Sequence, residues 1–314
     1  MSKKDLPKIA ISIGDLNGVG IEIALKSHKQ ISKYCNPIYC INKKMLEKAS
    51  KLLNLKIPKD FKTHSIKGDF KIEAGKVSKK AGSFSYKSFT QAIDLAAKKE
   101  VSAIVTLPIN KESWSKANIT YKGHTEVLRD YFKKNAIMML GCEKMFVALF
   151  TEHIALKDVA KKIKQKKLTQ FLIDFYNSVK KENIAVLALN PHASDNGVLG
   201  NEEIGISKAI KKTNKILGNE IFKGPMVPDT IFSPMSRKKY THYVAMYHDQ
   251  GLAPLKALYF DQSINVSLNL PIIRTSVDHG TAFDIAYKKN RELNCKSYIN
   301  AIKEAIKLNK TTIE

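Results

Sequence analysis

Short β-branched or apolar runs alternate with segments of helical periodicity over most of this chain, and few architectures accept that order. Strand-like runs cover Lys8 to Ile13, Pro37 to Ile41 and Val101 to Thr106. Helical patterns cover Ile21 to His28, Met45 to Leu53 and Ser88 to Lys99. The clearest helix is Leu168 to Val179, where Leu168, Phe171, Leu172, Phe175, Tyr176 and Val179 share one face. Tyr298, Ala301, Ile302, Ala305 and Ile306 repeat the pattern near the C-terminus. Such alternation predicts an α/β fold with a largely parallel sheet. Between Ala136 and Phe150 the strand-like runs crowd together, which admits antiparallel pairing. A chain of 314 residues fills one large domain or two of ordinary size. No internal repeat or Pro-rich hinge marks a boundary.

The formal net charge of +24 raises nucleic acid as a partner. Nearly all of that charge is lysine; the arginines are Arg129, Arg237, Arg274 and Arg291. Arginine is the residue suited to bidentate contacts with phosphates and base edges. The densest run, Lys161 to Lys167, carries no aromatic residue for base stacking, so it reads as a solvated face and nucleic acid is not an expected partner. No apolar run is long enough to span a bilayer, and the run Ile9 to Ile13 stops at Gly14 and Asp15, as a strand does and a signal peptide does not. Cys35, Cys40, Cys142 and Cys295 form no CxxC pair, which fits free thiols in a reducing, cytoplasmic setting with no membrane partner.

Three apolar runs each close on a histidine: Phe146 to His153 (FVALFTEH), Ala185 to His192 (AVLALNPH) and Tyr243 to His248 (YVAMYH). In open α/β sheets, ligands bind beyond the carboxyl ends of the strands. Three neutral imidazoles delivered to one such edge suit zinc or another borderline divalent metal with positions left open for substrate. The spacings match no local metal motif. Two readings therefore stand here, a shared metal site or three separate strand-end residues. Asp249 beside His248, and Asp229 in the turn from Gly224, are candidates to orient a ligand; the other reading makes them surface acids.

Other polar clusters are less specific. Gly14 to Gly20 (GDLNGVG) joins a strand to a helix, which permits close approach of an anion, yet it is not GxGxxG. As a dinucleotide fingerprint it is weak; as a turn it is ordinary. Gly123-His124-Thr125-Glu126 precedes a helical stretch, with Thr125 either its N-cap or, with His124, a holder of an anionic or hydroxyl group. Lys256, Asn265 and Arg274 punctuate apolar segments at nine-residue intervals. A partly buried arginine such as Arg274 calls for an anionic partner. The stretch Ser276 to Thr281 is expected to end a strand and open a helix, with Asp278 its cap or else a cofactor contact.

Taken together, Leu189 to Ala193 (LNPHA), Tyr247 to Leu252 (YHDQGL) and Arg274 to Thr281 (RTSVDHGT) resemble the 4-hydroxythreonine-4-phosphate dehydrogenase family of vitamin B6 biosynthesis. Gly123 to Glu126, Thr106 to Pro108 with Lys111, and Gly14 to Gly20 fall in the family's order, so the resemblance runs from about Lys8 to Tyr287. It implies two α/β/α domains around a cleft, similar to isocitrate and isopropylmalate dehydrogenases. The expected domains are 1–118 with 262–314, on the cofactor side, and 119–261, carrying the metal and the dimer interface.

The resemblance implies NAD-dependent oxidation of 4-phosphooxy-L-threonine and decarboxylation to 3-amino-2-oxopropyl phosphate. The alternative is a metal-dependent dehydrogenase of another phosphorylated hydroxy acid, 4-phosphothreonate or phosphoerythronate. The family's metal ligands fall on His153, His192 and His248, and its substrate contacts on His124, Thr125, Lys256, Asn265 and Arg274. The implied cofactors are NAD, with NADP left open, and zinc, magnesium or cobalt. The implied assembly is a homodimer in which one metal ligand crosses over. Departures from the family pattern are Leu16 and Ile21, where prolines are common, and Leu107, where a small residue is common; all three are expected in loops on the cofactor side.

Overall fold

Strands buried on both faces need helical layers on each side, and the central strands of this chain meet that condition. In the computed structural model, which describes residues 6–289 and 291–313, those strands are flanked by helices throughout. Met1 to Asp5 of the N-terminal reading, Asn290, and the last residue of the expected first domain lie outside the described residues.

The chain runs β1 (Lys8–Ser12), α1 (Gly20–Ile31), β2 (Asn36–Cys40), α2 (Lys43–Leu53), β3 (Lys62–His64), α3 (Lys79–Ala97), β4 (Ala103–Thr106), α4 (Lys111–Lys116) and α5 (His124–Phe132). It continues through β5 (Ile137–Cys142), β6 (Met145–Leu149), α6 (Val159–Lys162), α7 (Gln165–Val179), β7 (Ile184–Leu187), α8 (Glu202–Leu217), β8 (Phe222–Met226), α9 (Pro234–Lys239), β9 (His242–Ala245), α10 (His248–Tyr259) and β10 (Ile264–Leu268). It ends with β11 (Arg274–Val277) and α11 (Lys296–Ile313).

The described residues divide into two compact units, one within 1–134 and 270–314, the other 135–269. These seams fall later along the chain than the expected positions 118 and 261. In the first unit the strand order is β3-β2-β1-β4-β11, all parallel. Helix α3 packs on β1, β2 and β4, while α11 packs on β4 and β11 with α1 beside it. Helix α3 starts well before Ser88 because Ser78 caps it, its side chain accepting from the Ala81 N–H.

The second unit has the order β10-β5-β6-β9-β7-β8. Here β5 runs antiparallel to both β10 and β6, as the crowded strands near Ala136 suggested. The remaining pairs, β6 with β9, β9 with β7 and β7 with β8, are parallel. Its core joins Leu140, Val147, Leu187, Tyr243, Ala245 and Leu255. Helix α10 lies on this layer through Gly251, where an added Cβ would stand 2.4 Å from Val147 Cγ1 and 2.9 Å from Ala245 Cβ. Gly251→Ala is therefore expected to destabilise the protein by about 1–3 kcal/mol through overpacking, read as a lower urea midpoint. A midpoint equal to that of the unmodified protein would contradict this packing.

One expected element is absent. No helix opens after Asp278: its N–H donates to Ser297 Oγ, and the Thr281 carbonyl accepts the Val19 N–H of α1's N-cap residue. The segment is committed to tertiary bonds, and the next helix is α11.

Candidate active site

The three strands that close on histidines are neighbours. Strands β6, β9 and β7 lie side by side and parallel, so all three carboxyl ends leave the sheet at one edge. Thr151, just past β6, ties this edge together by donating its hydroxyl to the Met246 carbonyl at 2.6 Å. Gln250, buried in α10, accepts from the Met246 N–H and donates to the Ala188 carbonyl, each at 2.7 Å. One side chain thus joins the end of β9, which carries His248, to the end of β7, which leads to His192. Gln250 was not among the sequence candidates; an amide inside an apolar turn of helix gives no local sign that it bridges two strands.

His248 is the first residue of α10 and His153 lies in the loop after β6; their ring centres are 5.3 Å apart, tilted by 43°. His248 Nδ1 and Asp249 Oδ1 are 2.7 Å apart, so a proton on Nδ1 leaves Nε2 as the lone-pair nitrogen. Asp229 is exposed in the turn beyond β8, which itself takes in Gly224 to Met226. His192 stands on an exposed turn in which His192 to Asn196 all have positive φ, from 45° to 69°. Such a left-handed run is costly for residues with a Cβ. The carboxylate of Glu203 fastens it, accepting the Leu189 N–H at 2.9 Å, the Asn190 N–H at 2.8 Å and the Ser194 hydroxyl. Glu203, too, was beyond reach of sequence reasoning.

Whether these residues suit a metal can be judged from the donor geometry. Two imidazoles bound to one ion at ~2.0–2.1 Å place their ring centres roughly 5 Å apart, which is the spacing of His153 and His248. The carboxylate behind His248 is the usual support of a ligating imidazole. The pair fits a divalent cation. Among the described residues of one chain, no three His, Cys, Asp or Glu side chains are gathered into a metal-ready group.

Of the expected substrate contacts, Lys256 and Asn265 belong to the second unit. Lys256 is half-buried on α10 with its ammonium 5.2 Å from the Phe260 ring centre, and Asn265 lies on β10 opposite Leu140 of β5. His124, Thr125 and Arg274 belong to the first unit. Arg274 opens β11, is 2 % exposed, and donates to Thr106 Oγ1 at 2.7 Å. Burial lowers its pKa only to about 9, so it stays cationic at neutral pH. Gly123, not Thr125, occupies the N-cap of α5, where it supplies no side-chain cap. Thr125 thereby sits inside the first turn, at the end of the helix that favours negative charge.

Of the two expected partners of His124, an anionic or a hydroxyl group, its surroundings favour a neutral hydrogen bond over a charge pair. Burial first, and the Arg274 charge second, hold its pKa well below the usual histidine value. It offers a hydrogen bond and no charge; its Nε2 is buried with no partner.

The Gly14 to Gly20 turn is filled by protein. A Cβ on Gly14 would meet the Pro108 carbonyl at 2.2 Å, and one on Gly18 the Thr281 carbonyl at 2.7 Å. Asn17 bridges outward, accepting from Glu73 N–H at 2.9 Å and donating to the Lys76 carbonyl at 2.7 Å. The glycines are required by this packing, as a strand-to-helix turn requires them. Leu16, Ile21 and Leu107 are 0 % exposed. Leu16 and Leu107 are buried loop residues and Ile21 lies in the first turn of α1, with Leu107 against Gly20.

Asp15 in this turn is 0 % exposed, and its Oδ1 accepts the Asn17 N–H at 2.9 Å. Burial raises its pKa from 3.8 to about 6. The folded state therefore binds this proton more tightly than the unfolded chain. Its contribution is fully present below pH ~4 and is lost as pH rises through about 6. The difference corresponds to ~3 kcal/mol. Asp15→Asn is expected to raise Tm at pH 8 and leave it nearly unchanged at pH 4, in thermal unfolding followed by circular dichroism. An equal shift at both values would mean that the carboxyl is not buried as described.

The fold matches solved structures. A crystal structure described as 4-hydroxythreonine-4-phosphate dehydrogenase from Klebsiella pneumoniae superposes with a TM-score of 0.82 at 30% identity, covering 96% of this chain and 99% of that one. The protein is a dehydrogenase, an oxidoreductase built from two α/β/α units. Over 96% of its length it is 64% identical to a curated protein of Sulfurimonas denitrificans named 4-hydroxythreonine-4-phosphate dehydrogenase, and 49% identical to one of the same name from Helicobacter pylori, spanning 97% and 99% of those proteins. Residues 33–305 match the model of the pyridoxal phosphate biosynthetic protein PdxA, and the chain belongs to that family.

Proposed function

We propose that the protein oxidises 4-phosphooxy-L-threonine with NAD and releases carbon dioxide to give 3-amino-2-oxopropyl phosphate, in the synthesis of pyridoxine 5'-phosphate. The carbon bearing the secondary hydroxyl gives its hydrogen as hydride to NAD and the hydroxyl gives its proton to solvent; the resulting β-keto acid then loses carbon dioxide, and a proton takes its place on carbon. The observation that carries this reading is the set of three adjacent parallel strands β6, β9 and β7, each followed at the same sheet edge by a histidine, His153, His248 and His192. The names of the relatives and the family's role in pyridoxal phosphate synthesis support it.

In this reading His153, His192 and His248 hold the divalent metal, zinc, magnesium or cobalt, with Asp249 fixing the His248 ring. When bound, such a cation supplies Lewis-acid stabilisation of negative charge developing on oxygen. Arg274 and Lys256 neutralise the phosphate and carboxylate, Thr125 and the first turn of α5 receive phosphate oxygens, and Asn265 and neutral His124 orient the molecule by hydrogen bonds.

The protein works as a cytoplasmic homodimer, one imidazole of each metal site arriving from the second copy. Exposed apolar side chains near the candidate ligands in sequence support this: Ile154 and Leu156 follow His153, and Val198 and Leu199 follow His192. The free cysteines agree with the proposed location; among the described residues no helix is long and apolar enough to cross a membrane. The first unit is proposed as the cofactor side and the second as the metal and dimer side.

The test is NADH formation with 4-phosphooxy-L-threonine, 4-phosphothreonate and phosphoerythronate side by side. Preference for the amino-bearing substrate by kcat/KM supports the proposal. Turnover of either alternative alone overturns it.

A further inference from the structure

The imidazole of His124 is enclosed by aromatic rings from two other helices. Phe89 of α3 meets it edge-on at 4.5 Å between ring centres, and Trp114 of α4 at 5.8 Å, with interplanar angles of 83° and 74°. Trp114, the single tryptophan of the chain, is 0 % exposed. Its own position is fixed on three sides. The indole Nε1–H donates to Ser85 Oγ at 2.8 Å, and that hydroxyl donates to the Gly82 carbonyl at 2.9 Å. Tyr86 closes against the other side of the indole at 5.5 Å and 88°. Helices α3 and α4 touch backbone to backbone at Gly82, where an added Cβ would lie 2.0 Å from the Ser113 carbonyl. That contact sets the spacing of the two helices between which the indole lies.

We propose that Trp114 is a positioning residue for His124, holding the imidazole at one orientation with a buried, unpaired nitrogen reserved for the substrate. The physical reason lies in what the two rings withhold. Neither presents a polar group to the imidazole, and its Nε2 is left buried without a partner, open to a ligand that can donate or accept there. The same enclosure disfavours the imidazolium. The charged and titratable groups around it are few: Arg274 of β11 opposes protonation, Tyr86 of α3 lies beyond the indole, and Glu126 of α5 is occupied with the Lys122 N–H. This proposal rests on the reading of His124 as a substrate contact, and the experiment separates the two.

The experiment compares Trp114→Ala, Trp114→Phe and His124→Ala by steady-state kinetics between pH 5.5 and 8.5, and follows the His124 ring by NMR. The His124→Ala spectrum identifies its signals. For Trp114→Ala, KM for 4-phosphooxy-L-threonine is expected to rise about tenfold with kcat changed less, as for a lost ground-state contact. The His124 pKa is expected to move up toward ~6.5, adding an inflection to kcat/KM that the unmodified enzyme lacks. Trp114→Phe, which keeps an aromatic wall, restores most of both. A folded Trp114→Ala protein with an unchanged His124 pKa and KM overturns the proposal; if Ala prevents folding, Trp114→Leu gives the same reading. If His124→Ala also leaves KM unchanged, it is the substrate role of His124 that fails, and the pKa of its ring alone then decides whether Trp114 encloses it.

Discussion

Replacing His248 by alanine is expected to lower NADH formation by at least two to three orders of magnitude while leaving the protein folded. The size follows from the role. Stabilisation of a developing oxyanion is worth roughly 10²–10³ in kcat for a single donor, and a divalent cation supplies more than one donor does. The fold should survive because His248 is only the first residue of α10, with its side chain 37 % exposed. The core beneath is made by Leu252 and Leu255 of the same helix. Asp249→Asn is expected to be milder, weakening metal retention by about 10–100-fold, since the ring then loses the carboxylate that orients it. Metal content after dialysis and kcat, measured on both variants, test the pair. Full activity in a folded His248→Ala protein would remove His248 from the site.

The second large effect belongs to Arg274. Its guanidinium is buried at the head of β11 and held to Thr106, so it cannot swing away as a surface arginine would. Hydrogen bonds to charged groups are worth ~1.5–3 kcal/mol each, and a bidentate pair with a phosphate or carboxylate uses two. Arg274→Ala is therefore expected to lower kcat/KM by about 10²–10⁴-fold, mostly through KM. Arg274→Lys should recover little, because an ammonium lacks the planar fork and is more strongly hydrated. Initial-rate kinetics on both variants, with circular dichroism to confirm folding, decide this. Recovery by lysine to near the original KM would mean that only charge, and no fork geometry, is used.

How far the sequence reveals this molecule depends on how local each cause is. Helix α7 and strands β1 and β2 follow from periodicity, which is a property of the segment itself. Strand β3 (KTH) is mostly exposed and polar, so no apolar alternation announces it. The histidine-ended runs are visible as runs, but their order β6-β9-β7 is a fact of topology. It places side by side residues that are dozens of positions apart. The left-handed turn under His192 has no local cause; it exists because Glu203, from α8, collects two backbone N–H groups. Gln250 is similar, its two bonds reaching the ends of two different strands. The helix expected after Asp278 fails for the converse reason, since Ser297 and Val19 claim its backbone groups. His124 reads from sequence as a holder of an anionic or hydroxyl group, and burial beside Phe89 and Trp114, with the Arg274 charge second, disfavours its charged form.

The central claim is that oxidation of the phosphorylated hydroxy-amino acid depends on the cation held by the strand-end histidines. The most direct measurement is NADH formation from 4-phosphooxy-L-threonine and NAD by protein stripped with a chelator and then titrated with zinc, magnesium or cobalt. Turnover should vanish on stripping and return in proportion to added metal, saturating near one equivalent per chain. Undiminished turnover by folded, metal-free protein would contradict the account.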